Sequence, residues 1–320
     1  MKNLIGFRQF LKSPHSYEDL KKLLFESQKI IAFDRQDTSF FIAVCGENPL
    51  PFLQQKNLLS EVQFFDYSAK RFSPTQLVKN IVADVVNGPP IKIFYYSVYP
   101  EGLTYPIDLF TQLAVFLNFD HLGVSDSDFQ IPFREIMKSL EFHIQNADAK
   151  YPTVTFPKRV RRSLDAENYP INRWAMEDIE NLYVYFLSNI KFLEEKLDIQ
   201  SGLFFTNRPS NVMLDFNKVG KWVGTLHVAI SLLRHPDIRV FQNQVETNVQ
   251  HESSINFQVQ CRKINELYDY YLIPMENIIR IATDNPKRYL MNDWTTGYSK
   301  KEIEQALTRI FQAYQDLKHQ

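Results

Sequence analysis

The chain has 320 residues, of which 44% are hydrophobic and 23% are charged, and this is the composition of an ordinary globular protein. Its formal net charge of −1 excludes a global basic field that would attract nucleic acid or an anionic membrane. Two cysteines, Cys45 and Cys261, are too few for a disulfide framework or a thiolate zinc site. No apolar run approaches the length of a membrane span, and residues 1–8 lack the apolar region of a leader. We therefore expect a cytoplasmic protein with one large domain, with or without an appendage.

Residues 1–38 are predicted to form a mostly helical segment ahead of the main domain. Leu20, Leu23 and Leu24 would share one face of a helix that begins near Ser16. The pattern changes at Ser39, because residues 39–45 form a continuous apolar run. Such a run is typical of a strand that is buried on both faces.

Three further strands are predicted along the next 90 residues, at 61–65, 91–96 and 122–124. A helix is expected to begin at Ser73 and Pro74, and an amphipathic helix is expected over residues 106–119. Strands that alternate with helices predict a doubly wound, mostly parallel α/β sheet.

Acidic residues follow three of these strands: Glu47, Asp66, and the pair Asp126 and Asp128. Ligands of doubly wound sheets bind outside the carboxyl ends of the strands. Two carboxylates one residue apart can bind one hard divalent cation together with the phosphates of a nucleotide. A solvated turn is the alternative interpretation of the pair, and a cap on Tyr67 and Ser68 is the alternative for Asp66. The glycine patterns of a dinucleotide fold or a P-loop are absent from the sequence.

The segment from Asp126 to Pro132 resembles the Asp-x-Asp-Leu-Gln-x-Pro motif of nucleotide-sugar glycosyltransferases with the GT-A fold. Residues 198–208 are similar to the acceptor-side segment of that family, and residues 222–233 are similar to the helix that follows it. The likeness is one of order and spacing. It implies a GT-A-like domain at residues 39–257, with a C-terminal helical appendage at residues 258–320.

The resemblance also implies a function and a set of site residues. A sugar would pass from a nucleotide-diphosphate sugar to an acceptor of unknown class, with Mg²⁺ or Mn²⁺ as the cofactor. Asp126, Asp128 and His251 would hold the metal, as in retaining members such as glucosyl-3-phosphoglycerate synthase. The remaining candidates divide into nucleotide contacts at Glu47, Asp66 and Ser127, and acceptor or phosphate contacts at Ser201, Gly202, Arg208, Arg159 and Arg162.

Departures from the family pattern bear on the mechanism. An inverting displacement needs a carboxylate to take the acceptor proton. Residues 221–227, where inverting members place that base, contain no acid. Retention is therefore favoured, and Asp215 and Glu246 remain as alternative bases.

The basic cluster of Lys158, Arg159, Arg161 and Arg162 suits bidentate phosphate contacts, although an exposed loop is the alternative. The apolar face of the C-terminal helices would pack on the core or on a second copy of the chain, so a homodimer is possible. Two other functions stay open, a sugar-phosphate nucleotidyltransferase and a non-catalytic interaction module. No nucleic-acid partner is expected.

Overall fold

A computed structural model gives the fold of residues 1–33, 37–69, 73–86, 88–99, 102–128, 130–160, 171–188, 196–217, 219–221, 223–248, 257–290 and 299–318. The strands in chain order are β1 Lys2–Leu11, β2 Asp37–Gly46, β3 Gln63–Asp66, β4 Ile91–Tyr96, β5 His121–Asp126, β6 Thr153–Thr155, β7 Lys158–Arg159, β8 Phe204–Asn207, β9 Arg239–Phe241 and β10 Gln244–Val245. Eight of them form one sheet in the order β3-β4-β2-β1-β5-β8-β6-β9, and β7 pairs with β10 in a small second sheet. Strand β8 is antiparallel to both of its neighbours, and the other pairs of the main sheet are parallel.

The helices in chain order are α1 Pro14–Phe33, α2 Leu50–Gln55, α3 Pro74–Val86, α4 Thr104–Phe116, α5 Phe133–Asn146, α6 Ile171–Leu187, α7 Arg208–Met213, α8 Gly224–Leu233, α9 Phe257–Tyr271, α10 Met275–Asp284, α11 Pro286–Tyr289 and α12 Lys300–Lys318. Apolar residues of α1, α2 and α5 pack on one face of the sheet. Apolar residues of α3, α4, α6, α8 and the C-terminal helices pack on the other face. The predicted mostly parallel α/β sheet with helices on both faces is thus confirmed.

The helical interpretation of residues 1–38 is wrong for its first third. Strand β1 is the central strand of the sheet and pairs with β2 on one side and β5 on the other. Three polar residues interrupt its apolar pattern, yet they are buried because each has a partner. Asn3 bonds Thr38, Gln9 donates to the carbonyl of Ser16, and Arg8 pairs with Asp126. The sheet domain therefore begins at residue 2 and not at residue 39.

The later strands lie close to where the sequence predicts them. Strand β4 has the predicted bounds, and β2 extends the predicted run by a residue or more at each end. Their largely apolar pattern reflects burial on both faces of the sheet. Helix α4 begins two residues before the predicted start, at Thr104.

The C-terminal helices pack on the sheet domain through α6. Apolar residues of α10 and α12, among them Ile278, Leu307 and Ile310, are buried in the same core as Leu182 of α6. A capping box opens α12, because the backbone N–H of Ser299 donates to the Glu302 carboxylate and the backbone N–H of Glu302 donates to the Ser299 hydroxyl. The apolar face of this appendage is thus covered by the chain's own core. None of the helices in the described ranges is long and apolar enough to span a membrane.

Candidate functional site

The sheet changes winding direction at β1. After β1 the chain forms β2, β3 and β4 on one side of it, and the chain then crosses to β5 on the other side. Such a topological switch point leaves a crevice outside the carboxyl ends of the two flanking strands, and ligands of open α/β sheets bind there. The register pairs Arg8 of β1 with Asp126 of β5 at this crevice.

Arg8 and Asp126 form an ion pair at the carboxyl end of β5, three residues before β1 ends at Leu11. Nη2 of Arg8 lies 2.8 Å from Oδ1 of Asp126, and the side chains are 7% and 43% exposed, respectively. Ser127 joins the same strands, since its backbone N–H and its hydroxyl both donate to the carbonyl of Arg8, at 3.1 and 2.8 Å. The Ser127 hydroxyl proton is therefore used to hold the strand end, which argues against the expected nucleotide contact.

Gly202 brings the predicted acceptor-side segment to Asp126. The 3₁₀ turn Ile199–Ser201 ends at Gly202, whose φ of 74° lies in the left-handed region that favours glycine. A Cβ at this position would lie 2.8 Å from Oδ2 of Asp126. The neighbouring Ser201 is buried, and its hydroxyl donates to the carbonyl of Leu203. The backbone of Gly202 thus forms the contact with Asp126, and the Ser201 hydroxyl serves the turn.

Asp128 is exposed at the same edge, and its Oδ1 accepts the backbone N–H of Gln130 at 3.1 Å. The carbonyl of Gln130 in turn accepts the N–H of Asn248 at 2.8 Å. The chain therefore runs beside the Asp pair at Asn248, three residues before His251. His251 itself lies outside the described residues, as do Arg161 and Arg162.

The segments before α4 and α8 meet through three backbone groups. Gly102 has a φ of 61°, and a Cβ there would lie 2.7 Å from the carbonyl oxygen of Lys221. Thr104 donates its N–H to that carbonyl at 3.0 Å and its hydroxyl to the carbonyl of Gly220 at 2.5 Å. Residues 221–227 contain no acid, and each of the two alternative bases, Asp215 and Glu246, has a partner elsewhere. Asp215 caps the N–H of Asn217, and Glu246 pairs with Arg134.

Arg159, which was predicted to bind phosphate or acceptor, has a structural role. Arg159 is buried, and it forms ion pairs at 2.8 Å with both Asp198 and Glu177. Burial alone would lower the pKa of Arg159, but Asp198 and Glu177 raise it above the ordinary value, so this cation is structural. Its neighbour Lys158 lies in β7 and bonds Asn243 through its backbone.

Arg208 lies at the opposite edge of the sheet from the Asp pair. The antiparallel register pairs Asn207 with His121, and Arg208 bonds Asn118. His121 is five residues before Asp126 on β5, which corresponds to about 17 Å along a strand. The expected acceptor contact at Arg208 is therefore not compatible with this register.

The presence of β1 shifts the predicted nucleotide contacts by one strand. Glu47 follows the second strand of the sheet and not the first. Asp66 ends β3, the outermost strand, which is four strand spacings or about 19 Å from β5. Oδ1 of Asp66 accepts the N–H and the hydroxyl of Ser68 at 2.9 and 2.6 Å. Asp66 is thus a turn cap, which was the alternative interpretation.

The donors at this crevice fit a divalent ion that arrives with a nucleotide. Within the described ranges, no group of three or more His, Cys, Asp or Glu residues could hold a metal. Asp126 and Asp128 nevertheless offer carboxylate oxygens at one strand end, and Mg²⁺ typically binds one or two carboxylates together with substrate phosphates and water. The sequence missed Arg8, because its partner Asp126 is distant in the chain and no motif marks the residue.

Comparison with known sequences found no matching family model and no matching curated protein. Comparison with solved structures found several weak likenesses. Glucosyl-3-phosphoglycerate synthase of Mycobacterium tuberculosis is 11% identical, with a TM-score of 0.48 over 85% of this chain and 81% of that chain. Mannosyl-3-phosphoglycerate synthase of Rubrobacter xylanophilus is 7% identical, with a TM-score of 0.45 over 84% of this chain and 73% of that chain.

A third similar structure is a protein from Desulfovibrio desulfuricans described as a nucleotide-diphospho-sugar transferase. It is 11% identical, with a TM-score of 0.36 over 98% of this chain and 99% of that chain. Likenesses with TM-scores below 0.5 carry no argument about this chain, and the chemistry of the site rests on its own residues.

Proposed function

We propose that the protein is a metal-dependent glycosyltransferase, which moves a sugar from a nucleotide-diphosphate sugar to an acceptor. The observation that carries the proposal is the Asp126 carboxylate at the switch point of the sheet, with the Gly202 turn beside it. Such an arrangement would hold the diphosphate of a donor next to the segment expected to bind the acceptor. Transfer between two bound molecules requires this proximity.

Asp126, Asp128 and His251 are the residues proposed to hold Mg²⁺ or Mn²⁺. A divalent ion bound there would supply Lewis-acid neutralisation of the departing nucleoside diphosphate. The N–H of Asn248, bonded to the carbonyl of Gln130, supports the inclusion of His251, because three extended residues reach at most about 10 Å. Replacing His251 with alanine is expected to lower metal affinity about 10- to 100-fold.

The base of the nucleotide is proposed to bind a depression at the carboxyl end of β2. Tyr17 and Phe52 line it with ring centroids 5.1 Å apart, and the Tyr17 hydroxyl donates to Glu47 at 3.0 Å. Burial and the Glu47 carboxylate raise the pKa of Tyr17 to about 12, so the phenol keeps its proton. Strand β2 is two strand spacings from β5, about 10 Å, and its last residue, Gly46, lies three residues or about 10 Å further along the strand than the level of Asp126. The two positions are therefore about 14 Å apart, a span proposed to hold the nucleoside diphosphate.

Retention of the anomeric configuration is part of the proposal. In a same-face mechanism the leaving phosphate itself takes the acceptor proton, and the enzyme needs no carboxylate base. The acid-free start of α8 supports this route. Asp215 and Glu246 have partners of their own in Asn217 and Arg134, which also favours a mechanism without an enzymatic base.

Calorimetry tests the proposal against its two alternatives. UDP, GDP and ADP would each be titrated into the protein with Mn²⁺ or with EDTA. Metal-dependent binding of a diphosphate is the expected result. A preference for triphosphates would select a nucleotidyltransferase, and an absence of binding would select a non-catalytic module.

A pair of variants assigns the binding to the Asp pair. Asp128→Ala is expected to abolish the metal-dependent binding while the protein stays folded, because the side chain is exposed. Asp237→Ala is the matched control, since Asp237 is exposed just before β9, at the opposite edge of the sheet. Equal binding by the parent and by Asp128→Ala would contradict the assignment.

A further inference from the structure

Arg8 changes the charge of the proposed metal site. Asp126 and Asp128 alone would present two negative charges to a cation. The guanidinium of Arg8 lies 2.8 Å from Asp126, so the three side chains together carry one net negative charge. The positive guanidinium repels a divalent ion and offsets part of its attraction to the two carboxylates. A divalent ion is therefore attracted less strongly to this site than to the Asp pair alone.

Arg8 also has hydrogen-bonding capacity that the protein does not use. A guanidinium has five N–H donors in a fixed fork. Among the described residues, Nη2 pairs with Asp126, and the buried Nε has no hydrogen-bond partner. An unpaired buried donor on a charged group is costly, and a phosphate oxygen is the kind of acceptor that a guanidinium binds best.

Two aromatic side chains, Phe110 and Tyr99, lie near Arg8 in the sheet. The aromatic ring of Phe110 packs against Gly6, two residues earlier in β1, on the face of the sheet that α4 covers. The hydroxyl of Tyr99 donates at 2.6 Å to the carbonyl of Ala43, which is the residue of β2 that pairs with Arg8 in the register. Burial raises the pKa of Tyr99 well above its ordinary value, so this neighbour is a neutral phenol. Among these neighbours, Asp126 is the group that balances the charge of Arg8.

We propose that Arg8 makes metal binding at this site depend on the nucleotide, an inference that rests on the proposed function. In the ligand-free protein, Arg8 pairs with Asp126 and keeps the affinity for a bare divalent ion low. When a metal–nucleotide complex binds, Arg8 donates to the diphosphate, and Asp126 becomes available to the complex. Arg8 is in this account a specificity-determining residue that rejects free metal and selects the loaded nucleotide.

Arg8→Gln separates this role from simple positioning of Asp126. Glutamine removes the charge and keeps a polar side chain of intermediate length. Loss of positioning alone would weaken the binding of free Mn²⁺ and of Mn²⁺ with UDP alike. Loss of the competing charge is expected to strengthen the binding of free Mn²⁺ about tenfold and to weaken the binding of UDP with Mn²⁺ about tenfold, which is on the order of one charge–charge interaction at a partly exposed site.

The experiment is calorimetry of the full chain with Mn²⁺ alone, and with UDP, GDP or ADP at saturating Mn²⁺. Arg208→Gln is the matched control, because it removes one exposed arginine charge at the opposite edge of the sheet. It is expected to bind both ligands as the parent does. Circular dichroism and thermal unfolding establish that each variant is folded.

The outcomes are distinct for the two proposals. Affinities that fall together in Arg8→Gln, or that do not change, would overturn the role of Arg8 and leave the proposed function intact. A parent that binds no nucleoside diphosphate with Mn²⁺ would overturn both. If Arg8→Gln does not fold, Arg8→Lys is tested in its place. Arg8→Lys keeps the charge and is expected to bind free Mn²⁺ as weakly as the parent. Tight binding of free Mn²⁺ by the parent or by Arg8→Lys would contradict the proposal.

Discussion

Charged residues of this chain have roles that depend on partners far away in the sequence. Arg159 belongs to a basic run that suits phosphate binding, yet it is buried between Asp198 and Glu177. Arg8 belongs to no motif, yet it lies at the switch point of the sheet beside Asp126. The sequence predicts Asp126 and Asp128 because they follow an apolar strand. It cannot predict which arginine is near them, because that depends on which strands are neighbours in the sheet.

Gly202 is expected to be needed both for stability and for nucleotide binding. Alanine at a φ of 74° costs about 1–2 kcal/mol, and its Cβ would press on the Asp126 carboxylate. Gly202→Ala should therefore lower the unfolding free energy in urea by this amount and weaken the binding of UDP with Mn²⁺ about tenfold or more.

The control for this prediction is Gly88→Ala. Gly88 has no positive φ, and its added Cβ would meet the amide end of the Gln63 side chain, which can move. Nucleotide binding should be unchanged in this variant. Undiminished binding by Gly202→Ala would show that the turn does not position Asp126.

At the level of elements, the sequence predicts strands that are almost wholly apolar and misses one that contains several polar residues. Strand β4 has one polar residue, Lys92, in an otherwise apolar run and was predicted at its observed bounds. In β1 the polar residues Asn3, Arg8 and Gln9 hide a central strand, because their burial depends on partners in β2, β5 and α1. Because β1 was missed, Glu47 was assigned to the end of the first strand and Asp66 to the end of the second. They follow the second and third strands of the chain.

The packing of α5 on β5 and β6 should make the fold sensitive to acid. His143 of α5 is buried against Thr155 and the ring of His121, with its Nδ1 2.8 Å from the Thr155 hydroxyl. Burial, together with His121, lowers the pKa of His143 from 6.5 to about 3. The unfolded chain thus binds a proton that the folded chain excludes. The contribution of His143 to the free energy of unfolding is therefore fully present above pH 6.5 and is lost as the pH falls from 6.5 toward 3.

Urea unfolding at pH 7.5 and pH 5.0 measures this effect. The parent is expected to lose about 2 kcal/mol through His143 between the two values, since each pH unit below the unfolded pKa contributes about 1.4 kcal/mol. His143→Gln should lose correspondingly less. His15→Gln, at an exposed position on α1, should retain the loss of the parent. Equal losses in the parent and in His143→Gln would contradict the assignment to His143.

For the whole molecule, the order of the strands decides where the site lies. The sequence predicts a parallel α/β sheet, and it predicts that acids gather at the carboxyl ends of the strands. It does not determine that β1 separates β2 from β5, which brings Arg8, Asp126 and the Gly202 turn together. Register excludes Arg208 from that site for the same reason, because β8 runs antiparallel to β5.

Retention of the anomeric configuration is the stereochemical prediction of the proposed function. Because the start of α8 has no carboxylate, we expect an α-linked nucleotide-sugar donor to give an α-linked product. Proton NMR of the first-formed product measures this through the coupling constant of the anomeric proton. Spectra must be recorded before the product can equilibrate. A β-linked first product would show inversion and would require an enzymatic base such as Asp215 or Glu246.

The central claim is that Asp128 and Asp126 hold a divalent ion together with a nucleoside diphosphate. The most direct test is a crystal grown with Mn²⁺ and UDP, or with GDP or ADP if calorimetry selects them, measured for anomalous scattering of manganese. We predict one strong anomalous peak about 2 Å from a carboxylate oxygen of Asp128, with the diphosphate in contact with it. A peak elsewhere on the protein, or a bound nucleotide with no manganese at the Asp pair, would contradict the account.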